Sequence, residues 1–127
     1  FGDDQGFTEG EEGVNLDVKI TEKDDVTFVH IGGEIDLYSS PQVRTLLMKQ
    51  TEQRKPLLIV HLSDVTYIDS SGVATFIEAL QQINRYGGRM VLVGMGDEVR
   101  EVFRLTRLDK VFEIHHQLNA ADLQVGA

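Results

Sequence analysis

The chain has 127 residues, a formal net charge of −9 and no cysteine. Its length fits one domain with a single core, and the lack of cysteine excludes disulfides and thiolate chemistry, so we expect a reducing, cytoplasmic location. The acidic balance argues against direct nucleic-acid binding, and no apolar run approaches the ~20 residues of a membrane-spanning helix.

The first thirteen residues form an acidic head, "FGDDQGFTEGEEG", which contains five carboxylates and no Lys or Arg. Gly and acidic residues offer too little apolar surface to bury, so we expect residues 1–13 to be disordered. The head does not begin with Met, so an added or a trimmed terminus is one explanation for part of this segment. We expect residues 14–127 to form the single folded domain.

Two strands are predicted after the head. "VNLDVKI", which starts at Val14, alternates apolar and polar residues as half-buried strands do. The charged turn "EKDD" separates it from the β-branched run "VTFVHI", and so short a connection predicts an antiparallel hairpin. Gly32 and Gly33 then interrupt the run, and "EID" is predicted to be a brief third strand or a bend.

The rest of the chain alternates between helices and strands. "SSPQVRTLLMKQTEQ" predicts a first helix with Ser40 as its N-cap and Pro41 at the first helical position. The apolar run "LLIVHL" predicts a strand covered on both faces, and a second helix is expected from about Ser70 to Tyr86. "RMVLVG" predicts another buried strand, and Asp97 is a suitable N-cap for a third helix. "VFEIH" is predicted to be a last short strand and "NAADLQ" a final helical turn.

This order of elements predicts a single α/β domain. Its mixed β-sheet starts with an antiparallel hairpin and continues with parallel βα units. Right-handed crossovers would place the helices mainly on one face of that sheet.

A cluster of small polar residues lies where a strand meets the second helix. The stretch "YIDSSGVATF" places Asp69, Ser70, Ser71 and Gly72 at this junction, and open α/β sheets present groups to partners at the carboxyl ends of their strands. We expect Ser70 to be the N-cap and the Ser71 hydroxyl to point outward from the first turn. A plain helix start is the more frequent origin of such a cluster, but one cap needs only one side chain. The redundancy therefore favours a chemical handle.

Other chemistry has little support in the sequence. A serine hydrolase needs a Gly-x-Ser-x-Gly turn and a histidine base, and the block around Ser71 lacks the first glycine. His30 and His61 fall in predicted strands, and no His-x-x-x-His spacing indicates a metal site. We expect a protein that is not an enzyme and that uses neither a cofactor nor a metal.

Three stretches together resemble the STAS family, in particular the bacterial anti-sigma-factor antagonists. "VHLSDVTYIDSSGVATF" looks like the family signature, and "VTFVHIGGEIDLYSSPQVR" resembles its second strand, its Gly-Glu-Leu/Ile-Asp turn and its first helix. "GGRMVLVGMGDEVREVFRLTRLDKVFEIH" resembles the following strand, the third helix and the closing strand. The likeness runs from about Leu16 to about Leu118. Val73 and Ala74 depart mildly from the leucine and glycine that are usual in the family.

The resemblance implies a partner-switching regulatory protein. In such proteins the second serine of the block accepts the phosphate, which implies Ser71 here. The implied partner-binding residues are Asp36, Asp69, Ser70, Ser71 and Gly72. Unphosphorylated Ser71 would allow docking onto a serine-kinase anti-sigma factor, which then releases its sigma factor. The kinase would phosphorylate Ser71, and a separate phosphatase would reset it.

Two other functions remain open. Some members of the family act as lipid-transport subunits, transporter tails or stress-complex scaffolds, so a constitutive scaffold or transport-complex subunit without phospho-switching is the main alternative. An esterase-like enzyme is the third, and it would have to turn over an activated ester through one of the two serines.

Overall fold

The computed structural model describes residues 7–8 and 15–118, which contain a six-stranded mixed sheet. The strands are β1 (Phe7–Thr8), β2 (Leu16–Lys23), β3 (Val26–Ile35), β4 (Leu57–Ile68), β5 (Arg89–Val93) and β6 (Glu113–His115), and their order in the sheet follows the chain. β1, β2 and β3 pair antiparallel, and β3 to β6 pair parallel. The predicted α/β fold, with a hairpin followed by parallel units, is confirmed.

The helices are α1 (Ser40–Glu52), α2 (Ser70–Arg85) and α3 (Asp97–Leu105), followed by a short 3-10 helix (Leu108–Lys110). All three α-helices bury side chains in one apolar cluster with the strands; Val43 of α1, Phe76 of α2 and Phe103 of α3 are members of it. Because they share this cluster, the three helices cover the same face of the sheet, as predicted. A smaller cluster around Leu57 and Ile59 lies on the opposite face.

Two strands are longer than the sequence pattern indicated. β4 continues past "LLIVHL" to Ile68, and "EID" is not a separate strand, because Ile35 is the last residue of β3. The two extensions pair with each other, with Gly33 opposite Val65 and Ile35 opposite Ile68. The register shifts on both sides of the glycines, so a bulge lets the ladder continue where the sequence predicted a break.

Each helix is capped one residue earlier than predicted. The predicted N-caps Ser40, Ser70 and Asp97 are the first helical residues, and the caps are Ser39, Asp69 and Gly96. For α2 the reason is chemical, because a carboxylate accepts helix N–H groups at least as well as a hydroxyl does. The sequence prediction misplaced the cap because Asp and Ser, both good N-caps, are adjacent there.

Some predictions fall on residues whose structure is not described. Phe7–Thr8, within the acidic head, pairs with β2, and the predicted disorder of the remaining head residues stays a prediction. The predicted strand start at Val14 and the helical turn "NAADLQ" also lie outside the described residues. Within residues 15–118, no helix is long and apolar enough to cross a membrane.

We predict that Gly33→Ala lowers the free energy of unfolding by about 2–4 kcal/mol. Gly33 has φ +101°, and an added Cβ would lie 2.2 Å from the backbone oxygen of Asn15. Gly96→Ala is the control, because an added Cβ there meets nothing within 4 Å; losing a glycine cap should cost about 1 kcal/mol or less. Urea unfolding of both variants measures the difference, and equal costs would contradict the backbone argument.

Candidate functional site

The carboxylate of Asp69 organises the start of α2. Its Oδ1 accepts the backbone N–H of Ser71 at 2.9 Å and that of Gly72 at 3.3 Å. The Ser71 hydroxyl donates to the same oxygen at 2.6 Å. Ser71 is half-buried, with its Oγ turned toward Asp69, while Ser70 is exposed at the first helical position. The sequence predicted an outward-pointing hydroxyl; in the structure this hydroxyl is engaged with the capping carboxylate.

The pKa of the Asp69 carboxyl reflects this cluster of donors. Burial by itself raises that pKa, but hydrogen bonds from the Ser71 hydroxyl and from the backbone amides of Gly72, Ser71 and Leu37 outweigh burial and hold it below its usual value of 3.8. Asp69 is consequently ionised at neutral pH. Its negative charge lies at the positive end of the α2 dipole, where it is favourable.

Asp69 also joins α2 to the loop between β3 and α1. Its backbone N–H donates to the oxygen of Ile35, the last residue of β3, at 3.1 Å. Gly72 makes this approach feasible, because an added Cβ would lie 2.7 Å from Cγ2 of Ile35 and 2.8 Å from Cγ1 of Ile68. Gly72 is buried, so its contribution to the site is to let α2 lie close to the ends of β3 and β4.

The carboxylate of Asp36 shapes the β3–α1 loop from within. Its Oδ1 accepts the backbone N–H groups of Tyr38 at 2.9 Å and Ser39 at 3.0 Å. The hydroxyl of Ser39 is buried beneath this turn and donates to the oxygen of Glu34 at 2.6 Å. The structure therefore brings the loop of Asp36 next to Asp69 through its neighbour Ile35, while the Asp36 carboxylate itself is occupied in its own turn.

Three exposed apolar or aromatic residues lie in the two segments that meet at Asp69, the β3–α1 loop and the end of β4. Leu37 is 66% exposed, Tyr38 71% and Tyr67 50%. We call Leu37, Tyr38, Tyr67, Ser70 and Ser71 together the Ser71 face. The sequence patterns did not predict a role for Leu37, Tyr38 and Tyr67, although they contain one signal of it. They lie in a turn and at a strand end, outside any helical or alternating stripe that a core would require.

The four histidines of residues 15–118 have interactions away from Ser71, and His115 and His116 contact Glu113 and Arg100. Nε2 of His30 lies 2.7 Å from a carboxylate oxygen of Asp64, and the His30 ring stacks on that of His61 with centroids 6.2 Å apart. Within residues 15–118, the hydrogen bond of the Ser71 hydroxyl goes to Asp69 rather than to an imidazole. No cluster of potential metal ligands occurs in that part of the chain either. Within the described residues, the Ser71 hydroxyl therefore has no imidazole partner of the kind that a catalytic triad requires.

Sequence comparison relates the chain to one family of regulatory proteins. The family model of the STAS domain matches residues 17–121. A Bacillus subtilis (strain 168) protein named anti-sigma-B factor antagonist is 36% identical over 101 residues, which cover 80% of this chain and 90% of that protein. A protein of the same name from Listeria monocytogenes is 30% identical over 102 residues, with the same two coverages.

Solved structures show the same fold. The crystal structure of an anti-sigma factor antagonist from Mycobacterium paratuberculosis has a TM-score of 0.78 and 25% identity, covering 88% of this chain and 95% of that one. The phosphorylated form of the Bacillus cell fate determinant SpoIIAA has a TM-score of 0.63 and 18% identity, with coverages of 83% and 94%. At that identity the second likeness concerns the fold alone.

We predict that Asp69→Ala lowers the free energy of unfolding by about 1–2 kcal/mol near pH 7, as loss of an N-cap does. Because the carboxyl pKa is depressed in the folded state, its stabilising contribution is complete above pH 3.8 and is lost as the pH falls through the folded pKa. The difference from wild type should therefore shrink below about pH 4. Asp25→Ala, an exposed change in the β2–β3 turn, is the control and should cost about 0.5 kcal/mol or less. Urea unfolding at several pH values tests this, and a difference independent of pH would contradict it.

Proposed function

The chain belongs to the STAS domain family, and on that premise we propose that it is an anti-sigma-factor antagonist switched by phosphorylation of Ser71. With Ser71 unphosphorylated, it binds a serine-kinase anti-sigma factor, which then releases its sigma factor. The kinase phosphorylates Ser71 with ATP and the complex dissociates; a separate phosphatase resets the switch. The names of the Bacillus and Listeria relatives support the antagonist role. On this proposal the protein acts in the cytoplasm as a binding protein and not as an enzyme.

The observation that carries the proposal is the hydrogen bond from the Ser71 hydroxyl to Asp69, next to segments that expose Leu37, Tyr38 and Tyr67. Phosphorylation removes the O–H donor and adds about −1.5 to −2 charge beside a carboxylate. The helix dipole favours that charge by only about 0.3–1 kcal/mol. Two like charges 4 Å apart repel by about 4 kcal/mol per unit pair at a surface-like dielectric. Repulsion is therefore the larger effect.

Water decides when this repulsion is felt. In the unbound protein, solvent screens the phosphate from Asp69, so the phosphorylated chain can remain folded. A docked partner excludes that water from the Ser71 face, and both charges then lose their solvation. A hundredfold loss of affinity needs only about 2.8 kcal/mol, which is less than the unscreened repulsion.

The apolar side chains of the Ser71 face supply the attraction that this switch has to overcome. Buried aromatic and apolar anchors carry most of the binding energy in protein interfaces. Leu37, Tyr38 and Tyr67 are exposed around the serines and would be covered by a partner centred on Ser71. A phosphate introduced among them cannot be hydrated once they are covered.

We predict that Ser71→Ala binds the anti-sigma factor kinase constitutively and that Ser71→Glu binds it about a hundredfold more weakly, or worse. The kinase should be the one encoded in the same genome, and titration calorimetry without ATP gives the affinities. Ser63→Ala is the matched control: Ser63 is exposed in β4 and lies outside the Ser71 face, so its loss should leave both binding and phosphorylation by the kinase with ATP intact. Equal affinity of wild type, Ser71→Ala and Ser71→Glu would contradict the switch.

A permanently docked scaffold or transport-complex subunit is the second candidate function. The hydrogen bond between Ser71 and Asp69 is compatible with this second function, since it would stabilise the start of α2 even if Ser71 were never phosphorylated. The two functions differ in what they require of the protein in cells.

We predict that the native protein separates into two bands on phosphate-affinity electrophoresis, because the switch requires a phosphorylated population. Phosphatase treatment should merge the bands, and a Ser71→Ala strain should show only the lower one. A single band under all growth conditions, together with constant co-purification with a membrane ATPase or a stress complex, would support the scaffold instead.

A further inference from the structure

A groove adjoins the Ser71 face on the side of α3. It has a volume of about 540 Å³ and lies between residues 66–68 at the end of β4 and the first two turns of α3. Ile68 and Val99 are buried in its floor, Val102 is half-buried, and Tyr67 lines it while also belonging to the Ser71 face. A partner that covers Tyr67 therefore also reaches the mouth of this groove.

The rim of the groove is acidic. Asp97, Glu98 and Glu101 line it on the α3 side. Glu101 is paired with Arg104 through two hydrogen bonds. In contrast, Asp97 and Glu98 are in no ion pair within the part of the chain that the structure describes. Their negative charges are thus available to a partner.

Acidic residues also occur in the neighbouring junctions at this end of the sheet. The ends of β3, β4 and β5 together with the residues that follow them, 34–41, 66–72 and 94–99, contain no Lys or Arg; Arg100, the next residue of α3, hydrogen-bonds to His116. These three ranges contain five acidic residues: Glu34, Asp36, Asp69, Asp97 and Glu98. Interfaces bring opposite potentials together, so a surface that docks here has to be basic.

Stabilisation of α3 explains only part of this arrangement. Acidic residues in the first turn of a helix are favourable because of the helix dipole, and that accounts for Asp97 and Glu98 along α3. It does not account for an open groove with an apolar floor beneath them. A long basic side chain fits both features, since its methylene stem can lie on apolar surface while its charged end meets carboxylates.

We propose that this groove is the second half of the docking surface and receives an arginine or lysine, flanked by apolar side chains, from the protein that docks on the Ser71 face. The inference rests on the proposed function, and it adds a second point of contact on the partner. The partner's basic group lies between Asp97 and Glu98 while its apolar neighbours cover Val102 and Tyr67. This contact fixes the orientation in which Ser71 is presented to the kinase.

The test uses the anti-sigma factor kinase of the preceding calorimetry and the full chain. We expect Glu98→Arg to weaken binding of the unphosphorylated protein about tenfold at low salt, and Glu98→Gln to lie between it and wild type, as for charges at an interface rim. Raising the salt from about 50 to about 500 mM should shrink these differences in affinity, because screening weakens exposed pairs.

Asp25→Arg is the control, because it carries the same charge change in an exposed turn at the opposite end of the sheet. Its affinity for the kinase should stay within about twofold of wild type. Thermal melting of each variant separates binding from folding.

The outcomes distinguish the inference from the function on which it rests. If the kinase binds Glu98→Arg as tightly as wild type, or if Glu98→Arg weakens binding no more than Asp25→Arg does, the groove is not part of the interface. In that case only this inference fails. If the kinase does not bind wild type at all, the proposed function fails with it. If sedimentation shows that Glu98→Arg instead disrupts a dimer of this chain, the groove belongs to a second copy and the proposal is overturned.

Discussion

Asp69 is the residue on which the site depends, because its hydrogen bonds join two segments that are distant in sequence. Its carboxylate caps α2 through the amides of Ser71 and Gly72, and its backbone N–H donates to the oxygen of Ile35, where β3 ends. Since the carboxylate is ionised, the capping bonds are charge-assisted and stronger than neutral ones. The same atom that starts the helix also orients the Ser71 hydroxyl, so chemistry at that hydroxyl acts directly on the group that organises the surface.

Two close backbone approaches, at Gly72 and at Gly33, allow Asp69 to join α2 to the end of β3. Gly72 allows α2 to rest on Ile35 and Ile68, and Gly33 allows β3 to continue through a bulge until Ile35 is opposite Ile68. These two close approaches accompany the hydrogen bond from the Asp69 amide to Ile35. The site is thus built by close packing at the carboxyl ends of two parallel strands, which is where open α/β sheets usually present functional groups.

In the proposed switch, attraction and repulsion act over different distances. The acidic junctions around Ser71 attract a basic partner over about a Debye length, roughly 8–10 Å at ordinary salt. A phosphate on Ser71 does not reverse that long-range attraction, since it has the same sign as its surroundings. It acts instead at contact, where water is excluded and the Asp69 carboxylate is its neighbour. On this view, phosphorylation shortens the life of the complex more than it slows the encounter of the two proteins.

The sequence alone determined the α/β order, the helix-covered face and the Asp-Ser-Ser-Gly block, because apolar periodicity and turn residues are local signals that a single chain displays. It did not determine which polar residue caps α2, since Asp69 and Ser70 are both suitable and the choice follows from where the carboxylate reaches. Nor did it predict the exposed Leu37, Tyr38 and Tyr67 or the groove beside α3. These features exist only where loops of separate βα units meet, so tertiary packing decided them, and with them the surface that a partner can recognise.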